Sequence, residues 1–596
     1  MGSKGVKRQL SIAECDRILT APGQILEMDY LTLHGRRVRV WKNTPRTFRE
    51  SLLDKMTTYH ERIFLSFPSV QGREYLTYGQ VMEKSLELAA WMRSRGLGLG
   101  SKVGIVGMNC PEWIIAFTAV QIIGGISVCV NAWLPVEQLK HCLIKTRPAL
   151  VLMDQERADD LVDSLPSLKQ SGIESYCWGS GTTLPSLQDA VRTISAAERD
   201  GLLRGKGVES LGPESDAVIF FTSGTGGPPK AVLSTQRMAL TNIWSGLVGD
   251  NGWRAPARAA LRAGLPIPPL PQPSHPQRTV LLAIPLFHVT GCLSWLMRAF
   301  FAGSKMVLLP KWSTTEAIRV IQSEGVTVIG GVPAVVSAIL QSSHLPQTHV
   351  PETVFYGGAP PSNQLPKEIK SRWPKAGLVQ GYGLTETNAY VCSIAGGDYL
   401  ARPDSTGPPV PVTDTMIVDP VTREPLPIGT TGLLLVRGPQ VMKCYYDDEE
   451  ATRKAIDEEG WLDTGDGASV DAEGFVYIKD RLKDIIIRGG ENIPSSDVEN
   501  ALYADPRVSE AAAVGIPDSF LGELVGVAVT LREGQVADER ELIRLAATRL
   551  SKHAIPVIVL ILPGTLPRNI NGKVIKSQLV PLVSEAWAKR RVRAKL

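Results

Sequence analysis

Short apolar runs alternate with helix-length segments along most of this 596-residue chain. Runs at 149–153, 217–221, 280–284, 305–309, 327–329 and 377–379 read as buried strands, and their spacing predicts an α/β sandwich. Val81, Leu86, Leu88, Ala89 and Met92 lie on one helical face that ends at Gly96, and 103–107 reads as a short buried strand. The segment 113–130 has the length of a membrane span. It carries Thr118, Gln121 and Ser127 and is broken by Gly124 and Gly125, so a buried helix followed by a strand is expected, with no transmembrane segment. Residues 35–75 mix short apolar runs with charges and predict no element.

Two segments break this rhythm. Between Trp253 and Thr279 stand seven prolines and four arginines without a single acid, a composition that predicts an extended surface insertion over about 253–279. Beyond about residue 480 the strand signals recur at 485–487, 508–514, 526–531 and 557–562 with helices between them, enough for a second domain of about 110 residues. The expected fold class is therefore α/β: a large N-terminal domain of stacked sheets and helices (1–480), then a small C-terminal α+β domain (481–596). A charged connector between them at Lys483 is where a hinge can sit.

Composition narrows the function only slightly. With 64 basic and 60 acidic residues the net charge is +4, too weak a field to argue for nucleic acid. The eight cysteines (15, 110, 129, 142, 177, 292, 392, 444) show neither a CxxC pair nor metal-ligand spacing, so reduced and mostly buried thiols are expected. The N-terminus lacks a secretory apolar region. The sequence closes on Ala594-Lys595-Leu596 behind a basic tail, one residue from the Ser-Lys-Leu peroxisomal address, so a peroxisomal import receptor is the expected partner.

Four stretches carry chemistry. Residues 220–230 run from a strand into hydroxyls, glycines and a lysine: backbone N–H groups can approach phosphate, Thr222, Ser223 and Thr225 add donors, and Lys230 adds charge. A Walker loop is excluded, because two prolines precede the lysine and alanine follows it. Residues 380–387 follow a strand and offer an aromatic ring for a base, a hydroxyl for phosphate and a carboxylate for Mg²⁺. Residues 460–466 set an aspartate in a glycine turn suited to ribose hydroxyls. Residues 566–573 present a lysine from a polar loop.

In this order the stretches resemble the adenylate-forming superfamily, its acyl-CoA ligase branch above all. The resemblance runs from about Tyr75 to Lys576 and rests on FFTSGTGGPPKA (220–231), PLFHVTG (285–291), YGGAPPS (356–362), GYGLTET (381–387), GWLDTGD (460–466), DRLKDIIIRGGENIP (480–494) and PRNINGK (567–573). It implies an acid:CoA ligase that uses ATP, Mg²⁺ and CoA and works through an acyl-AMP intermediate. Thr222, Ser223, Gly224, Thr225, Gly226, Gly227 and Lys230 would cover the phosphates. Gly357, Gly358, Ala359, Tyr382 and Gly383 would flank adenine, Thr385 and Glu386 would hold the α-phosphate and Mg²⁺, and Asp466 and Arg481 would bind ribose. Lys573 would bridge carboxylate and α-phosphate. A rotation of the small, mobile domain about Lys483 would then bring Arg488, Gly489, Gly490 and Glu491 to the CoA tunnel. His288, with Gly291, Gly330, Gly331, Val332 and Pro333, would line the acyl pocket.

At Gly226 the family usually has a second threonine, which implies a looser phosphate loop with its backbone donors kept. Amino-acid-activating relatives carry an aspartate here to pair the ammonium group, and Phe287 and His288 supply none, which argues against amino-acid substrates; a medium- or long-chain fatty or related acid is expected. Two relatives remain as alternatives, a luciferase-like enzyme and a carrier-loading adenylating enzyme. An inactive nucleotide-binding scaffold would show decay at Glu386, Asp466, Arg481 or Lys573, and all four are intact.

Overall fold

Two large mixed sheets face each other across a layer of apolar helices. The computed structural model describes residues 10–33, 35–179, 184–192, 196–222, 228–248, 253–270, 276–481, 484–489, 491–568 and 573–593. One sheet has seven strands, ordered Cys444–Tyr445, Ala231–Thr235, Asp216–Phe221, Ile126–Val130, Lys102–Val106, Leu150–Met153 and Glu174–Cys177; the five from Asp216–Phe221 onward are parallel. The other has eight, with Gly377–Tyr382, Thr353–Gly357, Val328–Gly331, Thr279–Leu282, Lys305–Leu308 and Ile63–Ser69 parallel and an antiparallel strand at each edge.

The central helix Pro111–Ile122 is apolar on every side because it is covered on every side: Trp113, Ile114, Phe117 and Val120 are all buried between the sheets. Strand residues alternate between cores. Leu282, Met306 and Leu308 point into the central layer, while Leu281 and Val307 meet an outer helix layer of Thr314–Ser323, Pro333–Gln341 and Leu365–Arg372. Both faces being covered explains why these strands read as continuous apolar runs. The helix expected from Val81 to Gly96 spans Tyr78–Ser94, capped by Thr77 and Gln80. The stretch 113–130 divides into the central helix and the strand Ile126–Val130. Among the described residues no helix is long and apolar enough to cross a membrane. Six of the eight cysteines are buried.

A four-stranded antiparallel sheet follows (Asp414–Val418, Gly432–Arg437, Leu462–Val470, Val476–Arg481). Beyond it the chain builds a smaller sheet from Ile486–Arg488, Glu491–Ile493, Val508–Asp518, Gly522–Leu531 and Ile558–Ile561. Helices Ser495–Leu502 and Glu539–Ala547 cover one face of it and Lys576–Arg593 the other. This small unit meets the large one through Arg532 and Glu368 (2.7 Å) and through the Asn363 backbone N–H on Asn500 Oδ1 (3.3 Å).

The proline- and arginine-rich insertion departs from expectation. Residues Arg254–Arg262 form a helix, and Trp253, Arg254, Ala257 and Arg258 are buried. The acids missing from the segment come from elsewhere: Asp16 pairs with Arg254 at 2.8 Å and Asp398 lies 3.8 Å from Arg258. The Trp253 indole donates to the Pro268 carbonyl at 2.7 Å. Charge pairing to distant segments lets this composition pack, which composition alone does not reveal. Residues 271–275, Lys483 and the terminal Ala594-Lys595-Leu596 lie outside the described residues.

Candidate active site

The carboxyl ends of the parallel strands in the eight-stranded sheet open on one region, the place where α/β sheets collect ligands. Gly330 and Gly331 end one strand, Gly357 the next and Tyr382 the third, with Gly358, Ala359 and Gly383 in the turns beyond. Gly357 and Gly381 face each other in register, which sets the 357–359 turn beside Tyr382. Two of these glycines are required by close approach. A Cβ at Gly330 would stand 1.7 Å from the Phe355 carbonyl oxygen, and one at Gly383 2.2 Å from that of Ala389.

Asp466 and Arg481 face each other across adjacent strands of the four-stranded sheet. Arg481 Nε lies 2.8 Å from one Asp466 oxygen, and the Tyr382 hydroxyl donates to the other at 2.6 Å. Burial raises the Asp466 pKa above its ordinary value, opposed by Arg481, the Tyr382 bond and Lys573. Burial and the neighbouring carboxylate hold the Tyr382 phenol well above its ordinary pKa, so it stays a donor. Each carboxylate oxygen has two lone pairs, so Asp466 retains acceptor capacity for a diol after both contacts.

Thr385 and Glu386 sit on a single 3₁₀ turn, Thr385–Thr387, directly after the third strand. The Tyr445 hydroxyl donates to Glu386 Oε1 at 2.7 Å, and the Glu386 carbonyl accepts the Met442 N–H at 2.7 Å. Lys230 stands over the Tyr445 ring, 4.6 Å from its centre. One tyrosine thus links the phosphate-loop lysine with the acidic turn. Thr222 and Lys230 close the ends of that loop on each other, Thr222 N–H to Lys230 O at 3.0 Å and Lys230 N–H to Thr222 Oγ1 at 3.3 Å. Ser223, Gly224, Thr225, Gly226 and Gly227 lie outside the described residues.

His288 follows a turn closed by its own N–H on the Pro285 carbonyl, and its Nδ1 accepts the Thr290 N–H at 3.2 Å. That contact assigns the neutral tautomer with hydrogen on Nε2. Burial, with a smaller contribution from the Lys573 ammonium, lowers its pKa from 6.5 to about 4. Gly291 begins the π-helix Thr290–Leu296 just beyond, and Val332 leads into the helix Pro333–Gln341. The Lys573 charge acts on both His288 and Asp466, so this lysine of the small unit lies within electrostatic reach of both.

The residues assigned to CoA are arranged otherwise. Arg488 and Glu491 pair across a tight hairpin turned at Gly489, Arg488 Nη1 donates to the His553 carbonyl at 2.6 Å, and the Gly489 N–H donates to Leu521 O at 2.7 Å. These contacts stay within the small unit; Gly490 lies outside the described residues. Sequence reasoning passed over Tyr445, which follows no quoted motif, and over Lys576, whose only signal is its place three residues after Lys573. Among the described residues no group of three metal-binding side chains occurs, so Glu386 stands as a single carboxylate. Mg²⁺ is commonly held by one or two carboxylates together with substrate phosphates and waters, and Glu386 fits that donor set.

Both units of the chain match known proteins. Residues 52–446 match the model described as AMP-binding enzyme, and residues 497–573 that of the AMP-binding enzyme C-terminal domain. The chain is similar to a long-chain-fatty-acid–CoA ligase of Bacillus subtilis, 29% identical over 90% of this chain and 94% of that one. A 2-succinylbenzoate–CoA ligase of Bacillus cereus is 29% identical over 86% and 95%. The crystal structure of ATP-bound MatB from Rhodopseudomonas palustris superposes with a TM-score of 0.75 at 26% identity, covering 90% of this chain and 98% of that one.

Proposed function

Since the chain belongs to the AMP-binding enzyme family, matched by both its large and its small unit, we propose that it is an ATP-dependent, AMP-forming acid:CoA ligase. The observation that supports the reading is the reach of the Lys573 charge, carried by the small unit, to both Asp466 and His288 of the large one, where it acts to lower each pKa. A lysine at that place belongs between two anions. In the first half-reaction a carboxylate oxygen attacks the α-phosphorus of ATP and pyrophosphate leaves with its bonding electrons. Lys573 offsets the charge of the approaching anions, and Thr385 donates to the α-phosphate. Mg²⁺ held by Glu386 would neutralise further phosphate charge. His288, neutral at physiological pH, walls the carboxylate without adding a positive charge.

In the second half-reaction the CoA thiolate attacks the acyl carbon and AMP leaves. Rotation about Lys483 would withdraw Lys573 and bring Arg488, Gly489, Gly490 and Glu491 to the pantetheine arm. Asp466 and Arg481 keep the ribose in both halves. Gly291, Gly330, Gly331 and Val332 line the acyl side, and a medium- or long-chain acid is the substrate we assign. Free CoA, not a carrier arm, is the acceptor.

A peroxisomal address at Ala594-Lys595-Leu596 is part of the same reading. It is tested by joining the last residues of the chain to a fluorescent reporter: import with the tripeptide and none without it is expected, and equal distribution would remove the address. The enzymatic reading is tested by acid-dependent ATP–pyrophosphate exchange and CoA-dependent AMP release over a panel of acids. A luciferase-like or carrier-loading enzyme would give the exchange without AMP release to free CoA, and an inactive scaffold would give neither.

A further inference from the structure

Directly after the acidic turn Thr385–Thr387 the backbone turns left-handed twice. Asn388 has φ 52° and Ala389 φ 81°, and among the described residues no other two successive non-glycine residues do this. Asparagine tolerates that region better than most residues, whereas alanine does not. Asn388 is also 1% exposed, and among the described residues its Oδ1 has no hydrogen-bond partner. Left-handed backbone and an unmet acceptor both cost stability, and they persist where the surroundings over-determine them.

The other end of the same side chain supplies that constraint. Asn388 Nδ2 donates to Ser234 Oγ at 2.9 Å and to the Gln440 carbonyl at 2.9 Å. Ser234 lies on Ala231–Thr235, the strand of the seven-stranded sheet that begins directly after Lys230. Asn388 itself stands in the connection between Gly377–Tyr382 and Cys392–Ala395 of the eight-stranded sheet, two residues past Glu386. Gln440 leads to Met442, whose N–H meets the Glu386 carbonyl, and then to Tyr445, which pairs with Val232.

One amide therefore joins three segments: the strand that follows Lys230, the turn that carries Glu386, and the stretch that brings in Tyr445. Ser234 and Gln440 are buried as completely as Asn388, so the joint is closed to solvent. Tyr445 links the same segments through Lys230 and Glu386, groups that face the nucleotide in the ligase reading.

Resting on that reading, we propose that Asn388 is a positioning residue for the triphosphate of ATP, fixing the separation between the Lys230 strand and the Glu386 turn. Two bonds from one planar NH₂ group set distance and orientation together, and the turn cannot shift against the strand without breaking one of them. Lys230 and Thr385 are assigned to different phosphates of one chain. Their spacing then governs affinity for ATP and leaves affinity for the acid untouched.

The experiment uses the full-length enzyme and two readouts: the Kd of ATP by calorimetry without acid, and ATP–pyrophosphate exchange at varied ATP and varied acid. Asn388→Gly keeps the left-handed backbone accessible and removes both donors, while Ser234→Ala removes one acceptor from an ordinary strand position. The Kd and KM for ATP should rise about tenfold in Asn388→Gly and by a smaller factor in Ser234→Ala, with the KM for the acid unchanged. Added to Asn388→Gly, Ser234→Ala should change the Kd for ATP by less than about twofold, because its partner is already gone. A residue that serves stability alone would lower the urea midpoint and kcat at unchanged Kd and KM for ATP, and that result would overturn the inference. Fully multiplicative effects of the two substitutions would overturn it as well. Both results leave the ligase reading standing. A folded wild-type enzyme that neither binds ATP nor gives acid-dependent exchange would remove that reading and the inference with it.

Discussion

Asp480 accepts the backbone N–H of Ser495 at 3.0 Å, joining the sheet that carries Asp466 and Arg481 to the first helix of the small unit. Lys576 completes the join. Its ammonium lies 2.9 Å from Glu499 and 3.7 Å from Asp480, and it also donates to the Ser495 hydroxyl. Burial works to lower the Lys576 pKa, but Glu499 and Asp480 outweigh it and raise the value. Because Lys576 follows Lys573 by three residues, the cluster clasps the lysine-bearing segment against the nucleotide side.

Lys573→Ala removes the charge between the two anions. Adenylation, measured as acid-dependent ATP–pyrophosphate exchange, should slow by a factor of several hundred, a barrier about 3–4 kcal/mol higher. Conversion of supplied acyl adenylate and CoA to thioester should persist. Equal loss of both halves would refute the two-state assignment.

Lys576→Met leaves Asp480 and Glu499 without their cation and weakens the clasp by about 3 kcal/mol. On the proposal that this contact belongs to the adenylating arrangement, exchange should drop by at least about tenfold while the thioester half is retained. Fluorescence or scattering that reports the interdomain arrangement should shift toward the rotated state. An unchanged ratio of the two half-reactions would show that Lys576 only stabilises its own helix.

Tyr445→Phe deletes the hydroxyl that donates to Glu386 at 2.7 Å and keeps the ring under Lys230. A hydrogen bond to a charged group contributes about 1.5 kcal/mol or more, so kcat/KM for ATP should fall by about tenfold. The Mg²⁺ concentration needed for half-maximal rate should rise with it, and Tyr445→Phe activity that tracks the wild type across a Mg²⁺ titration would contradict the link.

Asp466→Asn removes the charge that Arg481 faces and one acceptor for ribose. The KM for ATP should rise more than kcat falls, since ground and transition state lose the same contact. Tyr382→Phe should move the same parameter by a smaller factor, and a double variant should show less than the sum, as neighbours sharing one carboxylate do.

The pH dependence of stability has a predicted sign at His288. Its folded pKa of about 4 lies below the ordinary 6.5, so the unfolded chain takes up this proton first as pH falls. Stability from this group is fully present above pH about 6.5 and is lost as pH falls toward about 4, by up to about 3 kcal/mol. Urea unfolding of His288→Phe against wild type, at intervals through that window, should show the wild-type curve falling more steeply toward acid. Parallel curves would place the imidazole in contact with water.

Much of this protein is fixed by local sequence. The buried strands and the central helix Pro111–Ile122 are legible because a chain covered on both faces must be apolar throughout, and the candidate site residues Glu386, Asp466, Arg481 and Lys573 are legible because they sit in short motifs of the kind that phosphate and ribose binding would demand. Tertiary structure alone decided who stands beside them. Tyr445 reaches Glu386 across 59 residues of chain and Tyr382 reaches Asp466 across 84, distances set by the order of strands in a sheet. The insertion packs because Asp16, 238 residues away, balances Arg254. Periodicity reports which face of an element is buried; which partner covers that face depends on the whole chain's path, and with it the clasp at Asp480.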